Sequence, residues 1–160
     1  MYNYDGTDTS VARDSANYKT YGVLYNWTAA MASAGSSNKS PSGVQGICPS
    51  GWHLPSDAEW TTLINYVGST PGSKLKTTSG WDTGLGYIAG TDVHGFSALP
   101  GGFYNGAYFD FVSFIGRWWT ATENSSTNNA YYRGLVYNSS TAQSTDNSKS
   151  FGFSVRCLRN

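Results

Sequence analysis

The sequence predicts an α+β chain with its helices early and its sheet late. Three observations carry that reading. A capping box opens an amphipathic stripe at residues 56–67, a glycine-rich stretch without helical periodicity follows to residue 117, and aromatic or β-branched runs then alternate with turn-rich connections. No internal repeat and no linker divides the 160 residues, so a single domain spanning 1–160 is expected.

Residues 1 to 19 are polar and rich in Asp, Thr and Ser, and read as a loop or a loosely docked strand. Thr20 precedes a helical pattern in which Tyr21, Leu24, Tyr25, Thr28 and Met31 share a face, with Ala29, Ala30 and Ala32 as strong helix formers. Gly35-Ser36-Ser37-Asn38 ends it, and the chain to Gly46 reads as an exposed loop. The second helix has the clearest signals. Ser56-Asp57-Ala58-Glu59 is the capping box, Trp60, Leu63, Ile64 and Val67 form the stripe, and Gly68 stops it. Strands are expected at 118–122, 131–137 and 151–158, with 124–130 and 138–150 as connections. Long irregular loops fill the rest.

Composition narrows the function classes. Charged residues make up 12% of the chain, aromatics 16%, and the formal net charge is zero, so nothing draws it to nucleic acid or an acidic membrane. No window approaches the ~20 apolar residues of a membrane span, so direct membrane insertion is not expected. Met1-Tyr2-Asn3-Tyr4-Asp5 does not resemble a signal peptide, yet few Lys and Glu among many Gly, Ser, Thr, Asn, Tyr and Trp suit a secreted or surface-displayed protein. Cys48 and Cys157 are either a disulfide closing a loop of roughly 100 residues or two buried thiols; the extracellular composition favours the disulfide.

Trp118-Trp119-Thr120-Ala121-Thr122-Glu123 and Gly152-Phe153-Ser154-Val155-Arg156-Cys157 bracket a tract dominated by Asn, Ser, Thr, Tyr, Ala and Gly. Antibody loops favour such residues, because Tyr gives rigid contact area and Ser, Asn and Gly give adaptable hydrogen bonds. Within the tract, alternation puts Tyr131, Arg133, Leu135 and Tyr137 on one strand face and Tyr132, Gly134 and Val136 on the other, so at least one tyrosine should be exposed. Arg133 would then be a charged contact to a ligand. Trp27, Trp52, Trp60, Trp118 and Trp119 are expected in the core, with one of the last two facing outward. Ordinary packing with polar turns is the competing explanation.

Five motifs occur in order: Tyr21-Gly22-Val23-Leu24-Tyr25-Asn26-Trp27, Cys48-Pro49-Ser50-Gly51-Trp52-His53-Leu54-Pro55-Ser56-Asp57-Ala58-Glu59-Trp60, Ala98-Leu99-Pro100-Gly101-Gly102, Trp118 to Glu123, and Phe153-Ser154-Val155-Arg156-Cys157. Together they closely resemble the Fibrobacter succinogenes major paralogous domain, over nearly the whole chain. That family is similar to the formylglycine-generating-enzyme branch of the C-type-lectin-like fold. The resemblance therefore implies two helices, a small twisted antiparallel sheet and long irregular loops. Family members usually carry a segment before the position of Tyr4; its apparent absence would leave a sheet edge open to self-association or a partner strand.

The C-terminal pattern also resembles the variable region of proteins targeted by diversity-generating retroelements, which mutate adenine-bearing codons on this kind of scaffold. That resemblance implies a hypervariable ligand-binding surface holding Asn124, Asn128, Asn129, Tyr131, Tyr132, Tyr137, Asn138 and Asn147. Tyr104, Asn105, Tyr108 and Asp110 lie in a similar loop upstream. The expected ligand is a protein or glycan on a cell surface, and the expected location is outside a bacterial cell, on its surface, or on a phage particle.

Enzymatic readings fare less well. Formylglycine-generating enzymes use a reactive cysteine pair in the C-terminal part of the fold, whereas only Cys157 lies there, so an oxidoreductase of that type is the alternative rather than the choice. His53 reads as a satisfied structural histidine, His94 lies in a loop, and no Gly-x-Ser-x-Gly elbow is present. Asp57 and Glu59 are explained by capping. No catalytic residue, cofactor or metal site is assigned. Calcium-dependent carbohydrate binding lacks the Glu-Pro-Asn and Trp-Asn-Asp tripeptides of such lectins, although the Thr91-Asp92 and Thr145-Asp146-Asn147 loops are rich enough in oxygen to invite calcium.

Overall fold

The capping box forms as its spacing requires. In the computed structural model, which describes residues 13–125 and 128–160, the Ser56 hydroxyl accepts from the Glu59 N–H at 3.1 Å and the Glu59 carboxylate accepts from the Ser56 N–H at 3.0 Å. The helix so opened is one of four among the described residues: α1 (Ala16–Tyr21), α2 (Trp27–Met31), α3 (Asp57–Val67) and α4 (Pro71–Leu75). None is long and apolar enough to cross a membrane.

The strands are β1 (Trp52–His53), β2 (Phe103–Tyr104), β3 (Phe109–Asp110), β4 (Ile115–Glu123), β5 (Asn129–Val136), β6 (Gln143–Ser148) and β7 (Leu158–Arg159). They form an antiparallel sheet β4-β5-β6 and two small antiparallel pairs, β1–β7 and β2–β3. In the main sheet Arg117 faces Gly134 and Trp119 faces Tyr132, and the register shifts between Trp119 and Glu123. The other edge of β4 is covered by short bridges, Gly102 to Gly116 and Ser154 to Trp118.

Several elements differ from the sequence reading, among them α4, a helix within the stretch to residue 117 that shows no helical periodicity, which makes four helices where two were expected. The single first helix is broken into α1 and α2, because Gly22 leaves the helix at φ 76° and the Asn26 side chain caps a new start, accepting from the Ala29 N–H at 2.8 Å. Between them Tyr25 exchanges backbone hydrogen bonds with Phe153 at 2.8 and 3.0 Å. The connection at 138–150 contains β6, an edge strand whose polar residues alternate with nothing apolar. The strand expected at 151–158 is instead a run of isolated bridges from Gly152, Phe153 and Ser154 to three different partners, followed by β7. The expected loop at residues 1–19 ends in α1, capped by Ser15; residues 1–12 lie outside the described chain.

The sheet is covered on both faces. One face packs Trp119, Ala121, Ala130 and Tyr132 against Trp27, Met31, Leu54 and Phe153. The other packs Trp118 and Leu135 against Trp60, Val67, Leu75 and Trp81. Trp118 and Trp119 are therefore both buried, at 6% and 0% exposure, and neither faces out as simple alternation predicts. Trp52, expected in the core, lies 40% exposed on β1. Lys76 is fully buried, and its ammonium donates to the carbonyls of Ile88 at 2.7 Å, Val136 and Tyr137 at 3.1 Å and Ser139 at 3.4 Å. Cys48 and Cys157 form a disulfide that ties the approach to β1 to the approach to β7.

Candidate functional site

The β2–β3 hairpin holds four of the residues singled out in the sequence. Its tip is an Asx turn: the Asn105 side-chain oxygen accepts from the N–H groups of Ala107 at 2.9 Å and Tyr108 at 3.0 Å. Tyr104 pairs with Gly152 through two backbone bonds of 2.9 Å, and its ring lies 5.0 Å from Phe109. Beyond β3, the Asp110 side chain accepts from the Phe111 N–H at 2.8 Å, and Phe111 itself is held at φ 60°. A bulky residue rarely adopts that left-handed conformation. The outcome is an aromatic surface on which Tyr108 is 59%, Phe111 44% and Phe114 37% exposed. It borders a groove of about 320 Å³ lined by Phe109, Asp110, Phe111, Val112 and Phe114. Tyr137 joins this end, its ring 5.2 Å edge-on to Phe114 and its hydroxyl donating to the Leu85 carbonyl at 3.3 Å; Asn138 next to it is exposed.

The asparagines gather elsewhere. Asn124, Asn128, Asn129 and Asn147 sit where β4 turns into β5, separated from Tyr137 by the length of β5, about 25 Å. The Asn129 amide donates to the Asp146 carboxylate at 2.7 Å, and Asn124 donates its N–H to the Asn129 carbonyl at 3.1 Å. Hydrogen bonds from the Asn129 and then the Asn124 side chains hold the Asp146 carboxyl below its ordinary value. Asn128 accepts from the Lys149 N–H at 3.0 Å, and the Asn147 side chain accepts from the Ser148 N–H at 2.8 Å. Tyr131, half-buried, lies between the two groups.

Two residues expected at the surface are internal. Tyr132 is 4% exposed, its ring 4.7 Å from Phe153 and edge-on to Trp119. Arg133 is 6% exposed; its Nε donates to Asp57 Oδ1 at 2.8 Å and its Nη2 to the Asp57 carbonyl at 3.0 Å and the Thr61 hydroxyl at 2.7 Å. The charge expected to meet a ligand instead fastens α3 to the sheet. Both corrections have one cause: β5 is the central strand of a sheet covered on both sides, so neither parity points outward.

The sequence reading missed Phe111, Phe114 and Arg117. The Arg117 guanidinium lies 4.0 Å over the Phe103 ring, 5.0 Å over Tyr132 and 5.4 Å over Phe153, and burial pushes its pKa below the ordinary arginine value. The signal available was a charge beside two tryptophans, in a strand whose other charged residue, Glu123, stands at its far end.

Other polar groups are internally occupied. Both ring nitrogens of buried His53 are engaged, by Asn160 Oδ1 at 2.6 Å and Glu59 Oε1 at 2.9 Å. Exposed His94 packs its ring against Tyr66, with centroids 5.5 Å apart. The Asp92 carboxylate accepts from the Ser97 N–H at 2.7 Å and hydroxyl at 2.6 Å, closing a loop. Among the described residues no group of three or more His, Cys, Asp and Glu side chains converges. A larger groove of about 720 Å³ runs along the polar loop from Met31 to Gly46, whose Ser36 hydroxyl accepts from the Glu123 N–H at 2.8 Å, beside Asn124.

No curated protein and no solved structure matches the chain. The five motifs sit at the joints of this architecture: the α1–α2 break, the α3 start with its cystine, the turn before β2, β4, and the bridged segment before β7. The Fibrobacter succinogenes major domain family matches residues 1–159, and the chain belongs to that family.

Proposed function

We propose that this chain is a non-enzymatic ligand-binding domain of the C-type-lectin-like kind, which presents a sequence-diversified recognition surface outside the cell or on a phage particle. The observation that carries the reading is the aromatic surface of Tyr108, Phe111 and Phe114. Phe111 and Phe114 are exposed on the groove and Tyr108 is exposed on the hairpin that leads into it, on backbone fixed by side-chain caps rather than left loose. Rigid aromatic anchors with polar neighbours have the composition of binding hot spots. Tyr137 and Asn138 border that surface, while Asn128 and its neighbours supply a second, polar rim at the far end of β5. The cystine suits an oxidising compartment. The rival oxidoreductase needs a reactive thiol at Cys157, and that sulfur is held in the disulfide.

The test combines diversity with capture. Codons for residues 100–157, sequenced across a population carrying this gene, should vary at adenine-bearing positions on a constant background; a uniform sequence removes the diversification. On protein and glycan arrays, Tyr108→Ala and Phe111→Ala should lose capture while keeping the melting temperature of the parent. Unchanged capture by both variants overturns the assignment of the surface.

A further inference from the structure

A carboxylate without a cation stands in the aromatic groove. Asp110 lines it beside Phe109, Phe111, Val112 and Phe114, and among the described residues no basic group pairs with that carboxylate. Its Oδ1 accepts from the Phe111 N–H at 2.8 Å, while Oδ2 has no partner among the described residues. A second carboxylate, Asp82, is tied to the same turn, its N–H donating to the Ser113 carbonyl at 2.8 Å. It too makes no ion pair among the described residues.

The walls of the groove are braced. Phe111 stacks on Phe103, with centroids 5.4 Å and planes 5° apart, and Phe114 is held edge-on by Tyr137 at 5.2 Å. Beneath them the backbone of residues 110–112 lies against Gly102, held at φ 68°, where a Cβ would come within 2.3 Å of the Asp110 carbonyl oxygen. The Ser113 N–H donates to the Pro100 carbonyl at 2.9 Å, and the Gly102 N–H to the Ile115 carbonyl at 2.7 Å. The motif from Ala98 to Gly102 thus carries the groove, and a ligand need not first order it.

We propose that the groove receives an arginine side chain of a protein ligand, its guanidinium packed against the Phe111 and Phe114 rings and hydrogen-bonded to Asp110 Oδ2. The inference rests on the reading of this aromatic surface as the ligand site and adds to it the chemistry of the ligand. A volume of about 320 Å³ suffices for one long side chain. A carboxylate among aromatic rings calls for a cation, because ring faces carry negative charge and attract it as well. Guanidinium fits better than ammonium: it is planar, stacks on ring faces and is more weakly hydrated. The protein makes the same contact twice within itself, with Arg117 4.0 Å over Phe103 and Arg156 4.5 Å over Phe96. A neutral glycan offers no charge to this carboxylate.

The experiment titrates the ¹⁵N-labelled full chain with the blocked tripeptide acetyl-Gly-Arg-Gly-amide and follows the amides of residues 109–114 by NMR. Matched peptides carry lysine, or citrulline, which keeps the shape of arginine without its charge. The arginine peptide should move these amides saturably, with a dissociation constant on the order of 10 mM for so small a probe. Lysine should bind about threefold more weakly and citrulline about tenfold. Asp110→Asn keeps an oxygen for the Phe111 N–H and removes the charge, so it should weaken the arginine peptide roughly fivefold at an unchanged melting temperature. No saturable movement in the parent protein, or equal movement with citrulline, overturns the proposal without reliance on any variant. Equal affinity for lysine overturns the choice of arginine. Array capture lost in Tyr108→Ala and Phe111→Ala, with no arginine response in the parent, sinks this inference alone. An arginine response with capture undiminished in both variants sinks the aromatic surface as the site of the captured ligand and keeps the groove as an arginine site.

Discussion

Arg133 and Lys76 are each inside the protein for a structural reason that alternation of residue types does not reveal. Tyr131 to Tyr137 read as a half-exposed strand because aromatic and small residues alternate with polar ones, yet the polar member, Arg133, is buried by its bond to Asp57. That bond joins residues 76 apart in sequence, and no local pattern encodes it. Arg133→Met should destabilise the fold by about 3 kcal/mol, read as a lower urea midpoint, because it strands the Asp57 carboxylate. Adding Asp57→Asn should restore part of the loss; no restoration would mean that the arginine acts through packing alone. For Lys76, burial pushes the ammonium from 10.5 down to about 8. Between those values the unfolded chain binds more protons than the folded one, so stability rises with pH across that window and is flat below it. The rise is at most about 3 kcal/mol at 1.36 kcal/mol per pH unit. Melting curves from pH 7 to 10.5 should show this slope in the parent and lack it in Lys76→Met, a variant also weakened by four carbonyls left without their donor.

Elements were legible where a local signal specified them and opaque where a distant partner did. α3 is the clear case: its cap, stripe and stop all lie within the segment from Ser56 to Gly68. The break between α1 and α2 is the opposite case, since the apolar stripe from Tyr21 to Met31 continues through it while Tyr25 is drawn out to Phe153. β6 escaped because an edge strand with exposed polar residues carries neither apolar alternation nor a hydrophobic run. The start of α3 carries a graded prediction. Ser56→Ala removes one cap bond and should cost about 1 kcal/mol. Glu59 does more, accepting from the N–H groups of Ser42 and Ser56 and bonding His53, with little exposure. Glu59→Ala orphans those groups, at about 1–3 kcal/mol for each buried donor, and should lower the urea midpoint clearly further than Ser56→Ala. Equal effects would show that water replaces the carboxylate and that the His53 site is open.

At the scale of the whole molecule, early helices and a late sheet were readable from composition and order, but not the sandwiching of that sheet between two aromatic clusters. The candidate site shows the same division. The hairpin carrying Tyr104 to Asp110 stood out by its residue types, whereas the placement of Arg117 opposite Gly134 and over the Phe103 and Tyr132 rings exists only through strand register. The long-range closure of the chain rests on little hydrogen bonding, since β1 and β7 pair over only two residues each. The Cys48–Cys157 bond, spanning 109 residues, reinforces that closure, and chain entropy assigns it about 4–5 kcal/mol. Reduction in the native buffer should therefore lower the urea midpoint by that equivalent and leave the side chains in place, which a cysteine-to-alanine change in the core would not. Hydrogen exchange should then rise first at Trp52, His53 and Leu158, while the amides of β4 and β5 remain protected by two packed faces. Loss of protection everywhere at once would mean that the cystine and the sheet form one cooperative unit, and that the domain folds only where thiols are oxidised. A negligible change in the midpoint would instead free the fold from any dependence on compartment, and with it the cystine's support for display outside the cell.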